Sequence, residues 1–309
     1  MLVYDIQDIV KVYPGQVQPA NDHLTLQIEQ GEIFGLLGDN GAGKSTLVRQ
    51  MANLLRSTSG SIHLFGRPLS AEPLYVPLLV GYMPQDPKAI NNLTVKEALY
   101  FTAHLRGLGR AAAQSESERL LELWDIQRLR DKYGPHLSGG ERRLMMLAIA
   151  LAGSPPVLIL DEPTNDLDPQ RRKLVWDVLR QLNQAQKTTI IFITHDALEA
   201  EKIIQRVGIM REGRLVALGR PSQLKSRIGQ KLRLELFTPQ DRLTGLPFGL
   251  QPARIDVGRW VVYLERGQAA AVIDALDMDQ VDDFRLYSAT LEDLYLYYAN
   301  HTETSEPAG

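Results

Sequence analysis

One stretch limits this chain more than any other. Glu32 to Leu55, EIFGLLGDNGAGKSTLVRQMANLL, is an apolar run, a glycine turn closing on Lys-Ser, and then a helical pattern. From Gly38 to Ser45 it reads G-x-x-x-x-G-K-[ST], in the context that motif needs, after a strand and before a helix. Gly38, Gly41 and Gly43 let the backbone bend so that successive N–H groups point at one place, and the new helix adds its positive end. A phosphate chain is the ligand that fits such a cradle. Lys44 is placed to reach its outer phosphates, and the Ser45 hydroxyl to bind Mg2+.

Two more short apolar runs, PPVLILDE and TTIIFITHD, have the continuous hydrophobicity of strands buried on both faces. They predict a largely parallel sheet flanked by helices. Asp161 follows Val157 to Leu160, where a parallel strand delivers its C-terminal end to the ligand crevice, and it is the candidate carboxylate for a metal. Glu162, next along an extended chain, points the other way and could polarise an attacking water. His195 closes the second run, a position that serves structure or chemistry equally. Gln85, in GYMPQD, sits in what reads as an ordinary turn. Neither is singled out by its own surroundings.

Between GYMPQD and LSGGE the pattern turns helical. LTVKEALYFTAHLRGLG and SESERLLELWDI each carry a capping-box spacing, Thr94 with Glu97 and Ser115 with Glu118. This predicts a helical insertion at about 88–153. After a polar linker around Gly219 to Gly229, strand-like and helical stretches alternate as far as TLEDLYLYYAN, which predicts a small α+β domain over 226–300. Residues 301–309 are polar and contain proline, the composition of a disordered tail.

The 309 residues carry a net charge of -3, which gives no global basic field to draw the chain onto nucleic acid. With no cysteine, disulfides, thiolate chemistry and Cys-ligated metals are excluded, and a reducing compartment fits. The start, MLVYDIQDIVKVYP, reads as a strand and lacks the features of a secretory signal. No apolar run approaches the ~20 residues of a membrane helix. If a membrane is involved, another subunit spans it.

PHLSGGERRLMM, Pro135 to Met146, resembles a second phosphate turn but has no lysine. Ser138 and Glu141 form a capping box that starts a helix. Arg142 and Arg143 then fall in the first turn, where the helix dipole disfavours cations, so an anion is expected nearby.

GDNGAGKST, Gln85, LSGGE, VLILDEPTNDLD and His195, in this order and at these separations, resemble the ATP-binding subunit of an ABC transporter. The resemblance covers residues 1–225. It implies a P-loop NTPase cassette: a mainly parallel sheet core, an antiparallel β subdomain and a helical insertion, followed here by the small α+β domain. It implies ATP and Mg2+ as ligands. Gly38, Asp39, Asn40, Gly41, Ala42, Gly43, Lys44, Ser45 and Thr46 then form the phosphate loop, and Tyr13 takes the place of the aromatic that stacks on adenine. Ser45, Gln85 and Asp161 fall at the metal positions. Glu162 resembles the general base, and His195 the residue that contacts the γ-phosphate. Lys44 and Gln85 complete the catalytic set, and Gln85 also borders the groove for a helix of the membrane subunit.

In this family the LSGGE of one subunit closes over the ATP of its neighbour. Ser138, Gly139, Gly140 and Glu141 would thus serve a second chain across a two-fold axis. Asn165, Asp166, Leu167 and Asp168 match the loop that crosses between subunits, with Asp166 departing from the usual glycine or alanine. The resemblance implies a second ATP-binding subunit, in a homodimer or a heterodimer, and a transmembrane permease at the cytoplasmic face of the membrane. No nucleic acid is expected.

The ending ATLEDLYLYYAN resembles the close of cytoplasmic ATPases from two-subunit exporters, which implies export. An importer ATPase shares every catalytic residue, although maltose-type subunits carry a longer, β-rich tail. A soluble ABC ATPase acting on ribosomes or nucleic acid is the remaining alternative. The roughly ninety residues between Ser45 and Ser138 leave no room for the long coiled coil of chromosome and repair relatives.

Overall fold

Strand-forming residues at the start of the chain pair locally. In the computed structural model, which describes residues 1–71, 74–85, 92–194, 201–227, 231–239, 246–278, 281–288 and 293–294, β1 (Leu2–Lys11) pairs antiparallel with β2 (Asn21–Glu29) and β4 (Ser59–Leu64). With β5 (Arg67–Pro68) the order is β2-β1-β4-β5. Tyr4, Ile6, Leu24, Leu26 and Ile28 turn inward and share one core with the phosphate-loop strand and helix described next.

β3 (Ile33–Gly38), β6 (Val80–Met83), β7 (Val157–Asp161), β8 (Thr189–Ile193), β9 (Arg206–Arg211) and β10 (Arg214–Gly219) make a six-stranded sheet in the order β10-β9-β3-β8-β7-β6. The pairs β3–β8, β3–β9, β7–β8 and β6–β7 are parallel. Every residue of β7 and β8 is buried, as parallel strands covered on both faces require. The register sets Leu36 beside Ile193, and Ile193 beside Asp161, so three strands deliver their C-terminal ends along one edge.

Helices alternate with these strands. α1 (Lys44–Met51) leaves the glycine turn directly, and α2 (Tyr75–Leu79) leads into β6. α3 (Val95–Leu105), α4 (Arg110–Leu123) and α5 (Gly139–Leu151) lie between β6 and β7, and α6 (Pro169–Gln186) between β7 and β8. The Thr94–Glu97 capping box forms, with the Thr94 hydroxyl accepting from the Glu97 N–H. The Ser115–Glu118 spacing does not cap a helix. α4 starts at Arg110, five residues earlier, so Ser115 lies inside it and Glu118 pairs with Lys96 at 2.8 Å instead. The alanine run before Ser115 carries the helix back to Gly109, since alanine is the best helix former.

The chain divides into two compact units, one comprising Met1–Asp196 and Lys202–Leu218, the other Ala197–Glu201 and Gly219–Gly309. The stretch read as a polar linker holds a helix, α7 (Pro221–Arg227). Pro221 at its first position suits a helix start, because the missing N–H is one the helix cannot use. Beyond it, β11 (Lys231–Phe237), β12 (Ala253–Asp256), β13 (Arg259–Glu265) and β14 (Asp283–Ser288) form an antiparallel sheet in the order β12-β13-β11-β14. Leu234, Leu236, Trp260, Val262 and Leu264 pack on one face with Val272 of α8 (Ala269–Asp274). On the opposite face Arg233 pairs with Glu235 at 2.8 Å and with Asp293 at 3.0 Å, and all three are buried. The rest of the closing TLEDLYLYYAN pattern and the tail 301–309 lie outside the described residues.

Candidate functional site

The glycine turn owes its shape to backbone pressing on it from behind. Gly43 has φ +96°, and a Cβ there would lie 2.1 Å from the Ala20 carbonyl oxygen; at Gly38 it would lie 2.3 Å from that of Met210 in β9. Only glycine fits such approaches. The buried Asn21 side chain donates to the Ala20 and Gly43 carbonyls at 2.9 and 3.0 Å, and its oxygen accepts from Gln50 Nε2 at 2.7 Å. Gln50 in turn accepts from the Ser57 hydroxyl at 3.0 Å. Neither Asn21 nor Gln50 was legible as part of the site. Their partners lie far apart in sequence and no local spacing announces them.

A cavity of about 240 Å3 opens in front of this turn, lined by Asn40, Gly41, Gly43, Lys44, Ser45, Thr46, Gln85, Asp161 and Glu162, with Ala20 and Ile193. Gly38, Asp39 and Ala42 shape the turn without lining the cavity. Lys44 Nζ donates to the Gly38 and Asp39 carbonyls at 2.6 and 2.8 Å. Burial pushes its ammonium below the ordinary lysine range, against the pull of Glu162, Asp161 and Asp39. Burial likewise pushes the Asp161 carboxyl up, offset in part by a hydrogen bond from the Ser45 hydroxyl.

Glu162 does not point away from Asp161. The strand ends at Asp161 and the chain turns left-handed at Glu162, φ +53°, with its N–H held by the Ile193 carbonyl at 2.9 Å. Strand alternation therefore stops one residue early, and both carboxylates line the same cavity. A left-handed glutamate costs of order 1 kcal/mol, which the surrounding structure has to offset.

Gln85 lines the cavity with an exposed side chain, and its carbonyl accepts from Arg143 Nη1 at 3.4 Å. The half-buried Tyr13 hydroxyl lies 3.3 Å from that of Thr46, and Lys11 Nζ sits 5.4 Å from the centre of its ring. His195 lies outside the described residues.

Ser138 caps α5 as its spacing predicts, with its hydroxyl accepting from Glu141 N–H at 3.3 Å and its N–H donating to Glu141 Oε2 at 3.1 Å. That backbone N–H holds the Glu141 carboxyl below its ordinary range. Ser138, Gly139, Gly140 and Glu141 do not line their own chain's cavity. The anion expected near Arg143 is supplied by the same chain, Asp166 pairing with it at 3.6 Å. Asp166 has φ +61°, a conformation that glycine takes freely and that aspartate tolerates better than most residues. Leu167 is buried, and Asp168 caps α6, accepting from the Gln170 and Arg171 N–H groups at 3.0 and 2.9 Å.

A family model described as ABC transporter matches residues 21–165. The daunorubicin/doxorubicin resistance ATP-binding protein DrrA of Streptomyces peucetius is 37% identical over 76% of this chain and 70% of its own length. Nod factor export ATP-binding protein I of Burkholderia pseudomallei is 38% identical over 76% of both. The chain belongs to the ABC transporter ATP-binding family. It is an ABC ATPase, with the α/β cassette fold of that family and an added C-terminal antiparallel sheet.

The same cassette is superposable on a solved ATP-binding subunit of an ABC transporter, with TM-score 0.67 and 28% identity over 74% of this chain and 93% of that one. A dimeric cassette, MJ0796, bound to ADP and Pi shares the fold at TM-score 0.66 and 21% identity, over 70% of this chain and 98% of its own. ATP-binding cassette sub-family A member 7 of Rattus norvegicus is 33% identical over 98% of this chain, which spans only 15% of that protein.

Proposed function

We propose that this ABC ATPase powers export: two ATP-binding subunits close around ATP and drive a separate membrane-spanning subunit at the cytoplasmic face of the membrane. One observation carries the two-subunit reading. The phosphate loop and both carboxylates share a cavity, whereas the Ser138 turn, also a glycine-containing helix start, takes no part in lining it. A second chain placed across a two-fold axis would bring its Ser138, Gly139 and Gly140 to the γ-phosphate. Identity to drug-resistance and Nod factor export ATP-binding proteins over three quarters of the chain supports export. Among the described residues no helix is long and apolar enough to cross a membrane, which agrees with a separate spanning subunit.

Within the site, the loop N–H groups and Lys44 bind the phosphates, and Tyr13, held toward Thr46, offers its ring to the base. Glu162 takes the proton of the attacking water, and His195 meets the γ-phosphate. The Ser45 hydroxyl and Asp161 carboxylate, bonded to one another, are a hard-oxygen pair of the kind Mg2+ takes alongside phosphates and water, with Gln85 near by. Mg2+ there would neutralise charge developing on the phosphates. Because the γ-phosphate is contacted from both sides only in the closed dimer, its hydrolysis removes what holds the dimer shut.

The test is Glu162→Gln. With ATP the variant is expected to run as a dimer in size-exclusion light scattering, and with ADP as a monomer. A variant that stays monomeric while binding ATP, or that sustains multiple turnover, overturns the reading.

A further inference from the structure

Arg106, the residue after α3, is half-buried, and its guanidinium meets no carboxylate among the described residues. It faces backbone oxygens instead. Nη1 donates to Ala150 O at 2.9 Å, to Ile149 O at 3.3 Å and to Ala152 O; Nη2 donates to Val80 O at 3.3 Å, and Nε to Pro77 O at 3.2 Å. Three of these carbonyls belong to the last turn of α5 and the residue after it, where a helix exposes unpaired acceptors and partial negative charge. α5 has no basic residue of its own in that turn. The fourth opens β6. Burial pushes the guanidinium down to about 10, so the site strains against holding this charge and keeps it.

The junction is also tight sterically. A Cβ on Gly81 of β6 would lie 2.0 Å from the Ala150 oxygen, and one on Gly153 would lie 2.9 Å from Arg106 Cβ. At its opposite end α5 is tied to the same segment again, through Arg143 and the Gln85 carbonyl. α5 is thus fastened to the β6–Gln85 segment at both ends, with Ser138 at the first end and Arg106 at the last.

We propose that Arg106 is a positioning residue that pins the C-terminal end of α5 to β6, so that Ser138 and Gln85 move as one body when nucleotide enters. The inference rests on the proposed roles of Ser138 and Gln85.

The chain has no cysteine, so two introduced thiols can be spin-labelled without background. Asp131→Cys in the helical insertion and Glu212→Cys in the β9–β10 turn are exposed sites for the labels. With the otherwise unaltered chain, ATP is expected to shift one narrow label distance to another. Arg106→Lys keeps a charge and most of the stem but cannot span five carbonyls; Arg106→Met removes the charge. Both are expected to broaden the distance distribution and to lower kcat at least tenfold, while KM for ATP stays within about twofold because the phosphate loop is untouched. Assays run well below each variant's melting temperature keep loss of fold apart from loss of the pin. A narrow, wild-type distance shift in both variants, or a fall in kcat matched by an equal loss of ATP binding, overturns the proposal. Absence of hydrolysis in the unaltered chain would count against the ATPase roles themselves.

Discussion

Replacing Asn21 by alanine asks whether the phosphate loop is held from behind. Asn21 is fully buried, and its amide joins the Ala20 and Gly43 carbonyls to Gln50, a residue of the helix the loop initiates. Truncation takes one of two donors from the Gly43 oxygen, which keeps the Leu47 N–H at 3.0 Å, and weakens the hold on Gln50 Nε2, which keeps the Thr46 carbonyl at 3.3 Å. A lost intramolecular hydrogen bond costs roughly 0.5–1.5 kcal/mol net, so losing both should cost about 2 kcal/mol. Gly43 is also the residue preceding α1, so its shift should lower ATP affinity roughly tenfold. Urea unfolding in a Trp260→Phe background follows the first unit alone, since the other two tryptophans, Trp124 and Trp176, both lie in it. In a double-mutant cycle with Gln50→Ala the two losses should fall short of additivity by about 1–2 kcal/mol. Additive losses, or a cost under 1 kcal/mol with ATP affinity unchanged, would refute the bracing role.

Three further outcomes follow from the same geometry. Burial holds the Asp161 carboxyl above its ordinary range, so the native state takes up that proton at higher pH than the unfolded chain, and stability declines as pH rises through that range. Asp161→Asn should therefore melt higher than wild type at pH 7 without nucleotide, yet lose turnover by ~100-fold or more; a lower melting temperature would contradict this. Gly43→Ala forces a Cβ onto the Ala20 oxygen and should cost about 3 kcal/mol or more, whereas Gly41→Ala, at φ +86° but with open space around it, should cost only about 1 kcal/mol, and thermal melts separate the two. In the second unit, Asp293→Ala takes a carboxylate from buried Arg233 and an acceptor from the Tyr263 hydroxyl, and should lower that unit's stability by about 3 kcal/mol, read by Trp260 fluorescence.

What the sequence made legible was what is written locally. The runs at 33–38, 157–161 and 189–193 are continuous and apolar, and they became the parallel strands they suggest. Thr94 and Ser138 cap their helices because an N-cap and its partner three residues on need nothing from elsewhere. Ser115 has the same spacing and caps nothing, since the alanines before it prolong α4. Alternation misled at Glu162 because a strand's last residue obeys its turn rather than its pleat. The cation expectation at Arg143 was sound, but its anion, Asp166, comes from a loop that only tertiary folding brings near. Asn21, Gln50 and Arg106 stayed hidden for the same reason: Asn21 and Gln50 bond each other 29 residues apart, and Asn21 and Arg106 reach carbonyls 22 and 44 residues away.

The central claim, that each working site is assembled from two chains, is tested most directly by mixing two inactive variants. Lys44→Ala damages the phosphate loop and Ser138→Arg the turn offered across the axis. A mixed dimer holds one site with both lesions and one with neither. Equal, freely exchanging amounts should recover about a quarter of wild-type ATPase activity, because about half the dimers are mixed and each has one sound site. Activity that stays at the level of the separate variants would mean that each chain completes its own site, and would contradict the account.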